Sequence, residues 1–311
     1  MMPSTARSPR RLALALAACL AAAALPAAAQ EQITVEHARG ETELSTNPHP
    51  VMVFPFFVLD TMQALGIPVE GVASNTMPGW LAETYADTPR IGTLFEPDME
   101  AIAAAAPELI ITGGRSTPKF DALSPIAPVI DLSVDPADFL GSAERDALLL
   151  GRIFGREAEA EALVARTDAA VAAVKEKAAG AGTGLLILTT GGRISAFGPG
   201  SRFGILHDAF GIAPAVPDLE VGTHGQAISN EFILEADPDW LFVIDRDAAI
   251  GRAGEGAAAL LDNALVRQTK AWKAGHVVYL DPARWYLAGG GLPSVLASAQ
   301  ALDAALSGAS Q

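Results

Sequence analysis

The feature that most constrains this chain is a unit that occurs twice around a long helical stretch. Residues Glu100 to Arg115 read Glu, six residues, Pro107, seven residues, Arg115; residues Glu231 to Arg246 repeat that spacing through Pro238. Five of the sixteen aligned positions are identical at an offset of 131. Each unit predicts a helix, a proline break, a buried strand and an arginine just past the strand. Between them, Pro136–Ala179 contains no further proline and is rich in Ala, Leu, Glu and Arg. Gly151 and Gly155 divide it into two predicted helices. The second, Glu157–Ala178, carries Leu163, Val164, Val171 and Val174 on one stripe. At 1.5 Å per residue it reaches about 33 Å, the diameter of a small domain.

Elsewhere strands and helices alternate, the pattern of parallel βαβ units. Ile33–His37 alternates as a half-buried strand, with Gly40-Glu41-Thr42 read as a turn. Val51–Phe54, Val69–Ala73 and Leu109–Ile111 read as strands; Leu59–Leu65 and Glu100–Ala106 read as helices. Strand–helix alternation resumes at Leu185–Leu188. The expected architecture is α/β: an N-terminal lobe over 30–155, a bridging helix over 156–180 and a C-terminal lobe over 181–311. Ligands of open α/β sheets bind beyond the carboxyl ends of strands, where Arg115 and Arg246 fall.

Residues 1–29 have the layout of a secretory signal peptide. Arg7, Arg10 and Arg11 precede an apolar run, Leu12–Leu25, followed by Pro26-Ala27-Ala28-Ala29. The run is about 14 residues, short for a membrane span. Leu16-Ala17-Ala18-Cys19 resembles a bacterial lipobox that would lipidate Cys19. The apolar residues after Cys19 and the seven-residue run before it favour a soluble periplasmic product. Arg10-Arg11 is a weak twin-arginine match.

Net charge is −15, and removing 1–29 with its three arginines gives −15 − 3 = −18. That acidity argues against a nucleic-acid partner. One cysteine excludes an intramolecular disulfide framework and a cysteine-based zinc site. The G-x-S-x-G, Walker-A and H-E-x-x-H motifs are absent. Gly198-Pro-Gly200-Ser-Arg-Phe-Gly204 has the wrong spacing for a dinucleotide loop. A secreted α/β enzyme would need a nucleophile–base pair that the sequence does not assemble.

Against that acidity, arginines are the strongest site signal. Arg115, Arg193, Arg202 and Arg246 follow strands or sit in Gly-rich turns. Each alone reads as a solvated or paired charge, such as Arg246 with Asp245. Together they suggest a positive cleft for an anion. Guanidinium suits that work: it stays charged and offers a planar fork of donors. His224 lies in a polar loop, Val221–Gln226, and Tyr286 beside the triple glycine Gly289–Gly291. Phenolate and imidazole both suit Fe³⁺. His37, His49, His207 and His276 show no ligand spacing and read as surface or strand-end residues.

These motifs, in order, resemble a family: Ile33–His37 with Gly40-Glu41-Thr42; Val58–Gly66; Pro107–Arg115; Ser201–Gly204; Thr223–Gln226; Val243–Arg246; Trp285–Gly291. Across nearly the whole mature chain the sequence is similar to periplasmic binding proteins of ABC-type iron–siderophore importers, catecholate (enterobactin- and petrobactin-type) group. The resemblance implies two lobes bridged by one helix, no catalysis, no intrinsic cofactor and a monomer with no nucleic-acid partner. It implies that Arg115, Arg202 and Arg246 bind an anionic ferric siderophore. His224 and Tyr286 would complete the iron shell where a tetradentate bis-catecholate leaves two positions open. It further implies delivery to an inner-membrane ABC permease, with Glu100 and Glu231 as docking acids; each also reads as a favourable carboxylate at a helix N-terminus. Ferric citrate, haem or a corrinoid are alternative ligands of the same fold. Zinc or manganese is disfavoured by the lack of converging histidines. The chain departs from the family pattern at Pro55, where Asp is expected, and at Ala288, where Ser is expected. Arg193 lies outside the expected triad.

Overall fold

The computed structural model describes residues 31–222 and 224–308. The signal peptide and lipobox readings lie outside the described residues. Among those described, no helix is long and apolar enough to cross a membrane.

The chain opens with an antiparallel hairpin, β1 (Gln32–His37) and β2 (Gly40–Ser45). The expected turn at Gly40–Thr42 is therefore strand, because Gly40 already pairs with His37 and Ala38-Arg39 alone makes the bend. The N-terminal lobe is a parallel sheet in the order β4-β3-β5-β6: β3 (Val51–Val53), β4 (Gly71–Val72), β5 (Leu109–Thr112) and β6 (Val129–Asp131). β3, β5 and β6 are buried along their whole length, as continuous apolar runs in a covered parallel sheet should be. Helix α1 (Phe56–Ala64) begins earlier than the sequence suggested. Pro55 is its N-cap and offers no side-chain cap; its carbonyl accepts from the Val58 and Leu59 amides.

The C-terminal lobe is a mixed sheet, ordered β10-β8-β7-β11-β12 with β9 pairing β7. Its strands are β7 (Thr183–Thr190), β8 (Arg193–Phe197), β9 (Ala213–Pro214), β10 (Gln226–Ile228), β11 (Trp240–Asp245) and β12 (Val277–Tyr279). β7, β11 and β12 are parallel, while β7–β8 is a hairpin closed at Gly191-Gly192.

The repeated unit holds in three dimensions. Helix α2 (Met99–Ala104) is capped by Asp98, whose carboxylate accepts from the Ala101 amide. Its counterpart, α5 (Asn230–Ala236), is capped by Ser229, which accepts from the Phe232 amide. Each helix is closed by a left-handed non-glycine residue at matching positions, Ala106 (φ 45°) and Asp237 (φ 38°). Each is followed by proline and a buried strand.

Between the lobes run α3 (Phe139–Phe154) and α4 (Glu157–Ala178). Gly155 separates them as a left-handed C-cap (φ 62°). Gly151 stays helical instead of breaking the chain. A Cβ there would fall 2.8 Å from the Ala160 methyl, so the glycine admits α4 against α3. On α4, Leu163, Val171 and Val174 are buried as the stripe predicts. The last helix, α6 (Leu292–Gly308), packs along α4 and α1. Its Leu292 joins the N-terminal core, while Val295, Ala299, Leu302 and Leu306 join the C-terminal core.

On α3, one carboxylate oxygen of Asp146 is buried with no partner among the described residues. Burial pushes its carboxyl up to about 7, with Arg145 opposing and Asp131 adding to the rise. The folded protein therefore holds a proton that the unfolded chain releases near 3.8. Stability falls as pH rises from about 4 to about 7. Asp146→Asn should remove that decline: urea unfolding should show a gain of about 1–3 kcal/mol at pH 8 and none at pH 3.

Candidate functional site

The site forms where the chain crosses back from the C-terminal lobe. Ala283–Leu287 makes a single π-helical turn, not the open loop that its glycines suggested. Trp285 and Leu287 are buried, whereas Tyr286 is partly exposed and lines the cleft. Gly289-Gly290-Gly291 follow because there is no room for side chains. A Cβ on Gly290 would lie 2.8 Å from Val134, and one on Gly291 would lie 2.6 Å from the Asp60 carboxylate. Asp60 and Thr61 of α1 then receive the start of α6, accepting from the Ser294 and Leu292 amides. Ala288 is fully buried, so serine in its place would have to bury a hydroxyl.

Three arginines converge on Tyr286 from two lobes. Arg115 leaves a 3₁₀ turn, Gly114–Lys119, after β5. That turn is fixed by the Gly114 amide donating to Ser133 and by Ser133 donating to Asp131. Arg115 reaches the Tyr286 carbonyl at 3.4 Å, with its guanidinium 5.0 Å from the ring centroid. Arg202 follows β8 in a tight turn whose Ser201 hydroxyl donates to the Gly198 carbonyl. Its guanidinium lies between the rings of Phe203 (4.8 Å) and Tyr286 (4.5 Å) and donates to the Tyr286 carbonyl at 2.9 Å. Arg246 opens a helical turn after β11. Its Nε donates to the Tyr286 hydroxyl at 2.7 Å, and its Nη1 donates to Thr190 at 3.0 Å.

The pairing expected of Arg246 with Asp245 does not form. Asp245 is occupied as a cap, accepting from the Ala248 and Ala257 amides. Arg246 instead has Asp247 at 3.8 Å. Arg115 and Arg202 make no ion pair with any described residue. Burial and the neighbouring Arg115 pull Arg202 down to about 10, so it stays charged at neutral pH. For Tyr286, burial raises the phenol, but the Arg246 hydrogen bond and the three guanidinium charges outweigh it and leave it below its ordinary value.

The cleft has two compartments that share Arg202, His224, Arg246 and Tyr286. One, about 520 Å³, is the cationic one: Arg193, Arg252, Thr190 and Ser195 join the shared residues there, with Leu188, Ile194, Phe197 and Ala227 as its apolar lining. The other, about 590 Å³, is lined by Arg115 and by Phe57, Phe95, Val134, Phe139 and Trp285. No described aspartate or glutamate lines either compartment. Among the described residues no cluster of three or more His, Cys, Asp or Glu could hold a metal. His224 is brought to the cleft, exposed, on the loop before β10. His207, in contrast, is buried and bonded to the Ile212 carbonyl, so it is no surface histidine.

Sequence reasoning placed Arg193 outside the triad; the structure puts it in the lining of the first compartment. Phe57, Phe95 and Arg252 carried no motif. Glu100 and Glu231 lie away from the cleft, both exposed in the first turns of α2 and α5. A hydrogen bond from Ser229 holds the Glu231 carboxyl below its usual range.

The sequence matches a family described as periplasmic binding protein over residues 56–283. It is 42% identical over 275 residues to the petrobactin-binding protein YclQ of Bacillus subtilis, covering 86% of each chain. The solved structure of that protein superposes with a TM-score of 0.85 over 89% of this chain and 99% of that one. The ferric-anguibactin-binding protein FatB of Vibrio anguillarum is 33% identical, covering 85% of this chain and 84% of that one. The catecholate-siderophore binding protein VctP of Vibrio cholerae gives a TM-score of 0.83 at 33% identity, over 87% of this chain and all of that one. These relatives are binding proteins rather than enzymes.

An alkaline titration followed by tyrosinate absorbance tests the site electrostatics. Burial pushes Tyr85 and Tyr279 up, so Tyr286 should ionise first of the three tyrosines. Tyr286→Phe should remove that first transition, and Arg246→Gln should move it to higher pH.

Proposed function

Because this chain belongs to the periplasmic binding protein family, we propose that it captures a ferric catecholate siderophore between its lobes and delivers it to an ABC permease. The observation that carries this reading is three guanidiniums gathered on Tyr286 with one carboxylate, Asp247, at 3.8 Å. Such a surplus of positive charge, in a protein of net −15, is stabilised by a bound anion. Catecholate oxygens on iron are anionic, and guanidinium forks match them as charge-assisted acceptors.

The aromatic compartment suits the flat apolar faces of catechol rings, which citrate lacks. A tetradentate bis-catecholate fills four positions of an Fe³⁺ octahedron. Tyr286 and His224 supply the two ligand types for the remainder, phenolate and imidazole. The arginines prepare Tyr286 for this role, since they already favour loss of its proton. A hexadentate siderophore would leave both residues to pack and hydrogen-bond instead. Function on this reading is capture and release, with no bond made or broken in the protein. Glu100 and Glu231, one on each lobe, are exposed at equivalent helix starts and free to meet basic residues of a permease.

Titration of the mature protein with a ferric bis-catecholate should quench intrinsic fluorescence and shift the visible charge-transfer band. Replacing Arg115, Arg202 or Arg246 with Ala should weaken binding by about 1–3 kcal/mol each. Tyr286→Phe and His224→Ala should abolish the band shift; unchanged affinity in all three arginine variants would remove the site assignment. Glu100→Lys with Glu231→Lys should leave ferric-siderophore affinity intact and stop uptake in a reconstituted transport assay.

A further inference from the structure

The cationic compartment holds more positive charge than a bare ferric catecholate can use. A ferric bis-catecholate has three positive charges on iron and four negative on oxygen, one net negative charge. Arg115, Arg202 and Arg246 already exceed it. Yet Arg193 and Arg252 line the same cavity as Arg202 and Arg246, together with Thr190 and Ser195 and no described acid.

Both added arginines are exposed, Arg193 held through its strand backbone and Arg252 beside a fixed carboxylate. Arg193 is the first residue of β8, just past the Gly191-Gly192 turn of the hairpin. The Gly191 amide donates to the Asp247 carboxylate at 2.6 Å, and Thr190 donates to its other oxygen at 3.2 Å. Arg252 lies 3.8 Å from that same oxygen, as does Arg246. One carboxylate, held below its ordinary range first by the Gly191 amide, therefore sets the hairpin turn and two of the cavity's cations. It cannot neutralise them all. Arg193 makes no ion pair with any described residue. The second compartment, which shares Tyr286, is the more apolar one and carries Phe57, Phe95, Phe139 and Trp285 beside Arg115, so the two ends of the cleft differ in chemistry.

Resting on the siderophore reading, the geometry points to a second anion subsite at Arg193 and Arg252, which receives a ligand carboxylate that is not bound to iron. The ligand is accordingly two-ended: a ferric catecholate centre over Tyr286, aromatic surface toward Phe57 and Phe95, and a free carboxylate toward the β7–β8 hairpin. Arg193 and Arg252 select among ferric siderophores by that group, while the triad reads the iron centre.

The test is a matched pair of synthetic ferric bis-catecholates whose linker carries either a carboxylate or its carboxamide twin. Affinities for the mature protein are read by fluorescence quenching. The carboxylate ligand should bind on the order of tenfold tighter than the amide, the scale of one charged hydrogen bond. In the Arg193→Gln/Arg252→Gln double variant that preference should fall to about one. Equal affinities in the unaltered protein overturn the subsite alone and leave the siderophore reading standing. A preference that persists in the double variant also overturns it, because the triad would then be reading the carboxylate. Binding of neither ligand overturns the siderophore reading and this inference together.

Discussion

Tyr286 offers three different attractions within one residue, and three guanidiniums take them. The carbonyl accepts from Arg115 and Arg202, the hydroxyl accepts from Arg246, and the ring faces all three. Like charges held this close repel, and the repulsion grows where water is excluded. What holds them is a combination of cation–π contact and hydrogen bonds to a backbone that cannot move away. Arg115 comes from the N-terminal lobe, Arg202 and Arg246 from the C-terminal lobe. The electrostatic centre of the cleft is therefore also a mechanical tie between lobes.

That tie works only because the chain around Tyr286 is fixed by steric fit. After Tyr286, Gly290 and Gly291 press against Phe57, Val134 and Asp60 and Gly289 against the Trp285 carbonyl, where no side chain has space. Asp60 is buried and accepts from Trp80 and from both the amide and hydroxyl of Ser294. It binds α1, the first turn of α6 and Trp80 into one unit beneath the site. Burial raises its carboxyl despite these donors, so its place reflects packing need as much as favourable charge. A loop of ordinary residues would let Tyr286 drift, and the guanidiniums would separate with it.

Much of this was legible in the sequence, for reasons that can be named. Arg115 and Arg246 were found because the two lobes repeat a helix–Pro–strand unit, and the structure repeats even the left-handed residue before each proline. The bridging helix was legible from its apolar stripe in a stretch without proline. Partner choice was not. Asp245 looked like the natural mate of Arg246, yet backbone amides at a helix start claimed it, because a cap satisfies donors that otherwise have none. Gly40 looked like a turn because hairpin strands and turns share composition there. Phe57, Phe95 and Arg252 could not be found at all: they share the cleft through tertiary fold, and no local spacing records that.

The fold leaves little freedom for the lobes to close around a ligand. α4 spans both cores, α6 begins in one and ends in the other, and the Tyr286 carbonyl is shared by arginines of both. A hinge motion large enough to swallow a ligand would break the first contact and bend two helices with no internal break. Small sliding is the motion such packing permits. On the proposed function, recognition then rests on a surface already in place, whose cations wait in one arrangement. In such a cleft, selectivity comes from charge and aromatic surface placed at fixed separations. On the proposed function, the cationic wall at the β7–β8 hairpin and the aromatic wall at Phe57 are parts of the site in the same sense as the three arginines on Tyr286.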